Sequence, residues 1–285
     1  MTIAVTGASG QLGRRAAELL LDAVAPGEVV LITRSPDGLA DLAARGADVR
    51  HGDFGVPGSL PDAFAGVDRV LLISTDVVGQ RVEGHRAAIT AAATAGVRHI
   101  AYTSIPQPVA DNPAAVVPDH AATEEALRDS GVAWTFLRNN LYADMQVQVV
   151  QRAAAAGQLV ANTGDGGTAY VARGDCAAAA IGVLTGDGHE GQAYDITGPE
   201  ALTAYDLAAL AGEVSGGPVE VVTVDDQAYV DGIVSAGMPA AVAQMLASFG
   251  AAGRLGYLDR VSTAVRDLTG REATALRDLV IGAAG

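Results

Sequence analysis

The sequence predicts a doubly wound α/β fold, in which helices cover both faces of a parallel sheet and a smaller C-terminal α+β lobe follows. Short apolar, β-branched runs alternate with helix-length amphipathic segments through the first half of the chain. These runs lack the polar alternation of half-exposed strands, which is typical of strands buried on both faces. A glycine-rich turn, VTGASGQLG at residues 5–13, follows the first run and begins the first helix.

Six strands are expected before residue 140. They are the stretches TIAVTG, EVVLIT, ADVRHGD, DRVLLIS, RHIAYTS and AWTFLRN. Helical segments separate them: QLGRRAAELLLDAV, DGLADLAARG, SLPDAFAG, QRVEGHRAAITAAATAG and DHAATEEALRDSG. Strands that alternate with helices in this way form an open, Rossmann-type sheet.

The regular alternation ends near residue 142. Beyond it we expect helices at ADMQVQVVQRAAAAG, GDCAAAAIGVLTG and TAYDLAALAGEVSG, strands at QAYDIT and VEVVTV, and further C-terminal helices. No Pro/Ser linker intervenes, so we treat the chain as one compact unit with two parts: a nucleotide-binding domain, 1–141, and a substrate lobe, 142–285, that is partly interleaved with the sheet. The ligand pocket is expected between them, at the carboxyl ends of the strands.

Composition excludes several kinds of function. The net charge of −15 disfavours nucleic acid and anionic membrane surfaces as partners. No apolar run is long enough to span a bilayer, and TIAVTG has no signal-peptide features, so a cytoplasmic protein is expected. All 18 basic residues are arginine, which excludes Schiff-base chemistry and a phosphate-binding P-loop lysine. A single cysteine, Cys176, and five histidines without ligand spacing predict no metal site.

The glycine-rich turn has the context of a dinucleotide site, because it follows a strand and begins a helix. Gly7 permits the tight turn, Gly10 lets a pyrophosphate approach the backbone, and Gly13 allows close helix packing. The helix N-terminus supplies N–H donors and the positive end of its dipole. The predicted cofactor contacts here are Gly7, Ser9, Gly10, Gln11, Leu12 and Gly13.

Arg34 predicts the choice of cofactor. It ends the second strand in LITRSPDG, where NAD-dependent folds carry an acid, and its guanidinium can bind a 2′-phosphate. NADPH is therefore the expected cofactor, with Arg14 as a second contact. Asp37 follows closely and can instead serve the ribose of NADH, so NADH remains an alternative.

Polar residues follow the next three strands. Side chains at the carboxyl ends of parallel strands face the ligand crevice, although ordinary loop capping is the alternative at each position. The first pair is expected near the adenine and the others along the path to the nicotinamide. These predicted contacts are Asp53 and Phe54, Ser74 and Thr75, and Thr103 and Ser104.

Five stretches resemble a known family. VTGASGQLG, VRHGDF, AFAGVDRVLLIS, GVRHIAYTS and TFLRNNLYADM are similar to the NmrA-like, atypical short-chain dehydrogenases/reductases, and within them to the bacterial NAD(P)H:quinone oxidoreductase and triphenylmethane reductase branch. The resemblance covers nearly the whole chain and is less specific about substrate. It implies NADPH use and direct hydride transfer to a quinone or similar electron-poor conjugated acceptor, a small molecule. A homodimer is compatible with it.

The resemblance also suggests catalytic residues. The Tyr-x-x-x-Lys pair of ordinary short-chain dehydrogenases is impossible without lysine, and related plant reductases carry a catalytic lysine at the position of His120. His120, with an ordinary pKa near 6.5, can polarise or protonate a quinone oxygen, or it can simply pack or cap its helix. Tyr142 can stack on a planar acceptor. The expected substrate contacts are Ile105, Pro106, Asn140 and Tyr142, with the 105–118 loop as a lid.

A second function stays open at this point. The chain also resembles NmrA-like regulators, which sense NADP(H) and contact a protein partner without catalysis. The complete glycine motif and the match around His120 and Tyr142 favour an enzyme. Consumption of NADPH would separate the two functions.

Overall fold

A seven-stranded parallel sheet lies at the centre of the computed structural model, which describes residues 1–283. Its strand order is β3-β2-β1-β4-β5-β6-β8, and every pair is parallel. A second sheet pairs β7 with β9. The fold class and the six strands expected before residue 140 are confirmed. The strands are β1 (Ile3–Thr6), β2 (Val29–Thr33), β3 (Asp48–His51), β4 (Arg69–Leu72), β5 (His99–Ser104), β6 (Ala133–Asn139), β7 (Gln158–Ala161), β8 (Gln192–Ile196) and β9 (Glu220–Thr223).

Helices connect the strands and build the second half of the chain. Two of the predicted helices, α2 and α3, are only five residues long because a 3₁₀ turn containing proline precedes each one. The helices are α1 (Gln11–Ala23), α2 (Ala40–Ala44), α3 (Leu60–Phe64), α4 (Arg81–Thr94), α5 (Val117–Asp129), α6 (Ala143–Ala156), α7 (Arg173–Thr185), α8 (Ala204–Ser215), α9 (Asp226–Ser235), α10 (Ala240–Arg254), α11 (Ala264–Thr269) and α12 (Leu276–Gly282).

The two faces of the central sheet carry separate cores. Successive side chains of a strand point to opposite faces, so Ile3 and Val5 pack with α1 and α7 while Ala4 packs with α3 and α4. Both sets of side chains are fully buried. This two-sided burial explains why the strand sequences are apolar without alternation.

The second half of the chain contributes to both parts of the molecule. After residue 142, α7 packs against α1 and β8 pairs with β6, so both belong to the central sheet layers. Helices α6, α8 and α12 form a separate core with β7 and β9. The division between 1–141 and 142–285 therefore remains a proposed boundary along the sequence, with two elements of the second part in the sheet layers. Strand β7 was not predicted from the sequence.

Glu124 joins three elements of the sheet layer. Its carboxylate is almost fully buried in α5 and accepts hydrogen bonds from the Ser104 hydroxyl at 2.7 Å, from Arg138 at 2.8 and 3.0 Å and from Arg128 at 2.9 Å. Arg128 in turn lies over the ring of Phe136, with 4.8 Å to the centroid. The carboxyl ends of β5 and β6 are thereby fixed to α5.

We expect Glu124→Gln to destabilise the protein. The change leaves the part-buried Arg138 without its counter-charge, and the free energy of unfolding should fall by about 2 kcal/mol. This is less than for a fully buried pair because Arg128 can turn into water. Urea denaturation measures the effect, with the exposed Glu125→Gln on the same helix as the control. Equal stability of the two variants would contradict a structural role for Glu124.

Candidate functional site

The glycine turn has the backbone geometry of a tight strand-to-helix connection. Gly7 has a φ of +59°, which favours glycine, and its carbonyl oxygen accepts the Gly10 N–H at 2.9 Å. A Cβ atom added to Gly13 would lie 2.2 Å from that same oxygen. Any larger residue at 13 would therefore push α1 away from the turn.

The N-terminus of α1 is open. Gly10 is its N-cap, no side chain of the described residues caps it, and its first turn contains no acidic residue. The N–H groups of the first helical turn have no intrahelical acceptor and favour a negative charge in front of them. Ser9 holds the turn against the end of β2 through a 2.8 Å contact between its hydroxyl and that of Thr33. These features fit the pyrophosphate of a dinucleotide.

Arg34 lies beyond the end of β2 and is exposed. Among residues 1–283 its guanidinium has no ion pair or hydrogen bond, so its charge is available to a ligand. Arg14, by contrast, pairs with Asp41 and Glu18. Of the two predicted phosphate contacts, Arg34 is the one without a competing carboxylate.

The ends of β4 and β5 are neighbours in the sheet, while β2 and β1 separate β3 from them, and several of the predicted side chains already have partners. Asp53 accepts the Gly55 N–H at 2.8 Å through one oxygen. The Thr103 hydroxyl accepts the Ser74 N–H at 2.9 Å and lies 3.3 Å from the Ser74 hydroxyl. The Thr75 N–H donates to His85 at 3.1 Å. The loop-capping alternative thus describes much of this polar edge.

Phe54 and Ser104 complete the predicted cofactor contacts. The half-buried ring of Phe54 lies edge to face with His85, with ring centroids 6.1 Å apart. The hydroxyl of Ser104 donates a hydrogen bond to the carboxylate of Glu124. Ser104 therefore serves the internal network through its side chain and can offer only its backbone to a ligand.

His120 lies in the first turn of α5 and is buried. Its Nδ1 lies 2.9 Å from the hydroxyl of Tyr102. Burial, followed by the charge of Arg81 and by His85, holds the pKa of His120 well below its ordinary value. The ordinary value near 6.5 therefore does not describe this buried ring, and its environment favours the neutral imidazole at pH 7.

Tyr142 and Asn140 have partners within the protein. The guanidinium of Arg173 lies over the Tyr142 ring, 4.8 Å from its centroid, which covers a face that was expected to stack on an acceptor. The Asn140 amide donates to the Leu258 carbonyl oxygen at 2.9 Å and accepts the Leu141 N–H at 2.8 Å. Both side chains anchor neighbouring segments.

The 105–118 loop is fixed rather than free at its start. Ile105 packs in a buried cluster that includes Val116 and Leu258, and Pro106 is buried as well. The amide of Asn112 donates to the Gln107 carbonyl at 3.0 Å, and Gln107 itself has a φ of +45°. The lid expected at 105–118 stays a prediction, and any movement would involve the exposed middle of the loop, since its start is held by burial and hydrogen bonds.

A cavity of about 560 Å³ lies in the second half of the molecule and reaches Gln11 at the start of α1. Apolar and aromatic side chains from separate segments dominate its wall, which is a usual lining for a small-molecule site. They include Leu141, Met145, Tyr170, Tyr229, Ile233, Met238 and Phe249.

The predicted acceptor contacts do not line this cavity. Ile105, Pro106, Asn140, Tyr142 and His120 are all absent from its wall. Sequence reasoning missed the residues that do line it because they come from helices far apart in the chain. Their only sequence signal was methionine and aromatic residues in otherwise alanine-rich helices.

Two further sequence expectations concern cysteine and membranes. Cys176 is buried in α7, and burial raises the pKa of its thiol well above the ordinary value, which makes it unreactive. Within residues 1–283, none of the helices combines the length and apolar character that crossing a bilayer requires. The same residues contain no cluster of three or more His, Cys, Asp or Glu side chains suited to a metal ion.

Comparison with known proteins places this geometry in context. A family model described as NAD(P)H-binding matches residues 7–187. The chain is 38% identical to quinone oxidoreductase 2 of Escherichia coli over 279 residues, 98% of this chain and 97% of that protein. It is similar to the crystal structure of an NADPH-dependent quinone oxidoreductase from E. coli complexed with NADPH, with a TM-score of 0.96, 37% identity and complete coverage of both chains. Triphenylmethane reductase of Citrobacter sp., complexed with NADP(H), gives a TM-score of 0.91 and 36% identity over 99% of this chain and 100% of that one.

We expect Gly13→Ala to weaken dinucleotide binding by at least about tenfold. The new methyl group would meet the Gly7 carbonyl and displace the N–H groups of α1. Isothermal titration calorimetry with NADPH measures the dissociation constant. Gly27→Ala is the control, because a Cβ there meets no atom within 4 Å. An unchanged constant for Gly13→Ala would show that this helix end does not hold the cofactor.

Proposed function

This chain belongs to the NAD(P)H-binding family, and from that premise we propose that it is an NADPH-dependent oxidoreductase that transfers hydride directly to a quinone or similar conjugated acceptor. The comparisons confirm the resemblance to the quinone oxidoreductase and triphenylmethane reductase branch. The observation that carries the proposal is one juxtaposition: the open, glycine-lined end of α1 adjoins an apolar cavity at Gln11. A cofactor site beside an acceptor-sized cavity supports hydride transfer between them.

The residues of the chain act mainly by positioning. Bound NADPH supplies the hydride and leaves as NADP⁺, and a quinone takes up one proton from water for each hydride to become the hydroquinone. Holding both reactants in contact supplies most of the rate enhancement in such a step. The negative charge that forms on a quinone is delocalised, so the site can work without the lysine that carbonyl reduction uses.

The cofactor contacts proposed from the sequence keep distinct roles. The N–H groups of residues 11–13 would hold the pyrophosphate, and Arg34 would bind the 2′-phosphate. The nicotinamide half would lie beside the backbone at Ser74, Thr75 and Thr103. Hydrogen bonds from the Ser74 N–H to the Thr103 hydroxyl and from the Thr75 N–H to His85 hold this loop in place. The net charge of −15 supports the further proposal that the partners of the protein are small molecules rather than nucleic acid. A cytoplasmic location also stays a proposal.

The first test follows the near-ultraviolet absorbance of NADPH with purified protein and an acceptor. We expect consumption that requires both the protein and a simple quinone, with a triphenylmethane dye compared in parallel. Protein without acceptor and acceptor without protein are the controls. Binding of NADPH without consumption by any acceptor would contradict the enzyme and favour the sensing role of NmrA-like regulators.

We expect Arg34→Ala to raise the dissociation constant for NADPH by about tenfold and to leave that for NADH unchanged. The reason is that the lost guanidinium serves only the 2′-phosphate. Arg98→Ala is the matched control, since it removes the same charge at the amino end of β5, where Arg98 pairs with Asp68. Equal weakening of NADPH and NADH binding would assign Arg34 another role.

A further inference from the structure

A buried chain of hydrogen bonds lies behind the ends of β4 and β5. The backbone N–H of Thr75 donates to Nε2 of His85 at 3.1 Å, so this nitrogen must be the acceptor of the ring. The proton of His85 therefore sits on Nδ1 and is donated to the Thr123 hydroxyl at 2.9 Å. The Thr123 hydroxyl in turn donates a hydrogen bond to the Asp119 carbonyl oxygen at 2.8 Å. The tautomer of His85 is fixed by a backbone donor.

A second buried hydrogen bond, between Tyr102 and His120, lies beside this chain. Tyr102 is fully buried, and its hydroxyl lies 2.9 Å from His120 Nδ1, with the Thr123 hydroxyl as the other polar group that faces it. A buried hydroxyl needs an acceptor for its proton. If His120 donated instead, the phenolic proton could turn only to the Thr123 hydroxyl, which already accepts a hydrogen bond from His85. The geometry therefore directs the Tyr102 proton onto Nδ1 and leaves the proton of His120 on Nε2.

The other nitrogen of His120 is not enclosed. Among residues 1–283, the fully buried side-chain nitrogen and oxygen atoms without partners belong to Arg81, His99 and Asn139. Within the same residues Nε2 of His120 also has no partner, yet it is not among these enclosed atoms, so it reaches accessible space. His120 lies in the first turn of α5, at the carboxyl edge of the sheet, where a ligand crevice is expected.

We infer that Tyr102 is a positioning residue that fixes His120 as a neutral imidazole, with its Nε2–H available as a hydrogen-bond donor to an oxygen of the bound reactants. The inference rests on the proposed reductase function. The oxygen is either the carbonyl of the acceptor or a ribose hydroxyl of the cofactor. His120 keeps its proton through the reaction, and the proton that completes the hydroquinone comes from water.

Burial, assisted by the charge of Arg81 and by His85, favours the neutral form of the ring. Arg81 and His85 face His120 from α4, while Asp119 and Glu124 belong to its own helix and Tyr102 to β5. Arg81 pairs with Asp119 at 3.0 Å. Burial lowers the pKa of His85 to about 4, and burial raises the pKa of Tyr102 well above its ordinary value. Neither neighbour supplies a proton to His120 near pH 7.

Long-range ¹H–¹⁵N NMR of the uniformly labelled, full-length protein tests the tautomers directly. Between pH 5 and 8 we expect His120 to show a protonated Nε2 and an unprotonated Nδ1, and His85 to show the reverse. The cross-peaks that disappear from the spectrum of His120→Gln identify the signals of His120. A protonated Nδ1 on His120, as would arise if Tyr102 donated to Thr123, overturns the inference, and so does titration of His120 in this range.

Tyr102→Phe tests the functional consequence. Without the phenol, His120 should lose its tautomer preference while His85 keeps its own. If Nε2 serves the acceptor, kcat with a quinone should fall about three- to tenfold at an unchanged NADPH dissociation constant; if it serves the ribose, that constant should rise by the same factor. Unchanged values for both would overturn the inference.

Tyr194→Phe is the matched control, because the Tyr194 hydroxyl makes an equivalent 2.9 Å contact with His189 Nδ1 away from the site. It should alter the His189 signals alone and leave turnover unchanged. The NMR result on the unmutated protein needs no acceptor and no folded variant. A protein that consumes no NADPH would therefore refute the proposed function while the tautomers remain measurable.

Discussion

The close approach of α1 to the turn before it is the constraint on which the rest of the site depends. With no side chain at residue 13, the helix lies directly against the Gly7 carbonyl, and its free N–H groups point along the carboxyl edge of the sheet. The same helix packs on α7, which comes from the second half of the chain. This one backbone contact thus sets the position of the anion-binding end of α1 and, through α1, the position of α7.

The absence of lysine gives the site a particular electrostatic character. Arginines close to it are largely neutralised by carboxylates, as Arg81 is by Asp119, and the imidazoles behind the strands are uncharged. Arg34 is an exception because it has no counter-ion among the described residues. In a chain of net charge −15, such a site relies on fixed dipoles and packing more than on mobile protons.

The central sheet was predictable because burial on both faces leaves a local signature in each strand, and the glycine turn was predictable because its residues are contiguous. The surroundings of His120 were not, since its pKa depends on burial and on Arg81 and His85, and its hydrogen bond on Tyr102, all of which other elements bring to it. The residues of the cavity wall could not be predicted for the same reason, because helices far apart in the chain contribute them. Strand β7, only four residues with one fully apolar face, lacked the length to stand out between helices.

The late arrival of β8 in the sheet has a consequence for biosynthesis. When the ribosome has made the first 141 residues, β6 is still an unpaired edge strand, with bare peptide groups along the side that β8 will cover. More than fifty further residues must emerge before that edge closes and α7 covers the face beside α1. A nascent chain that folded its first six strands early would therefore carry an open sheet edge, the kind of surface that favours self-association, until β8 is made.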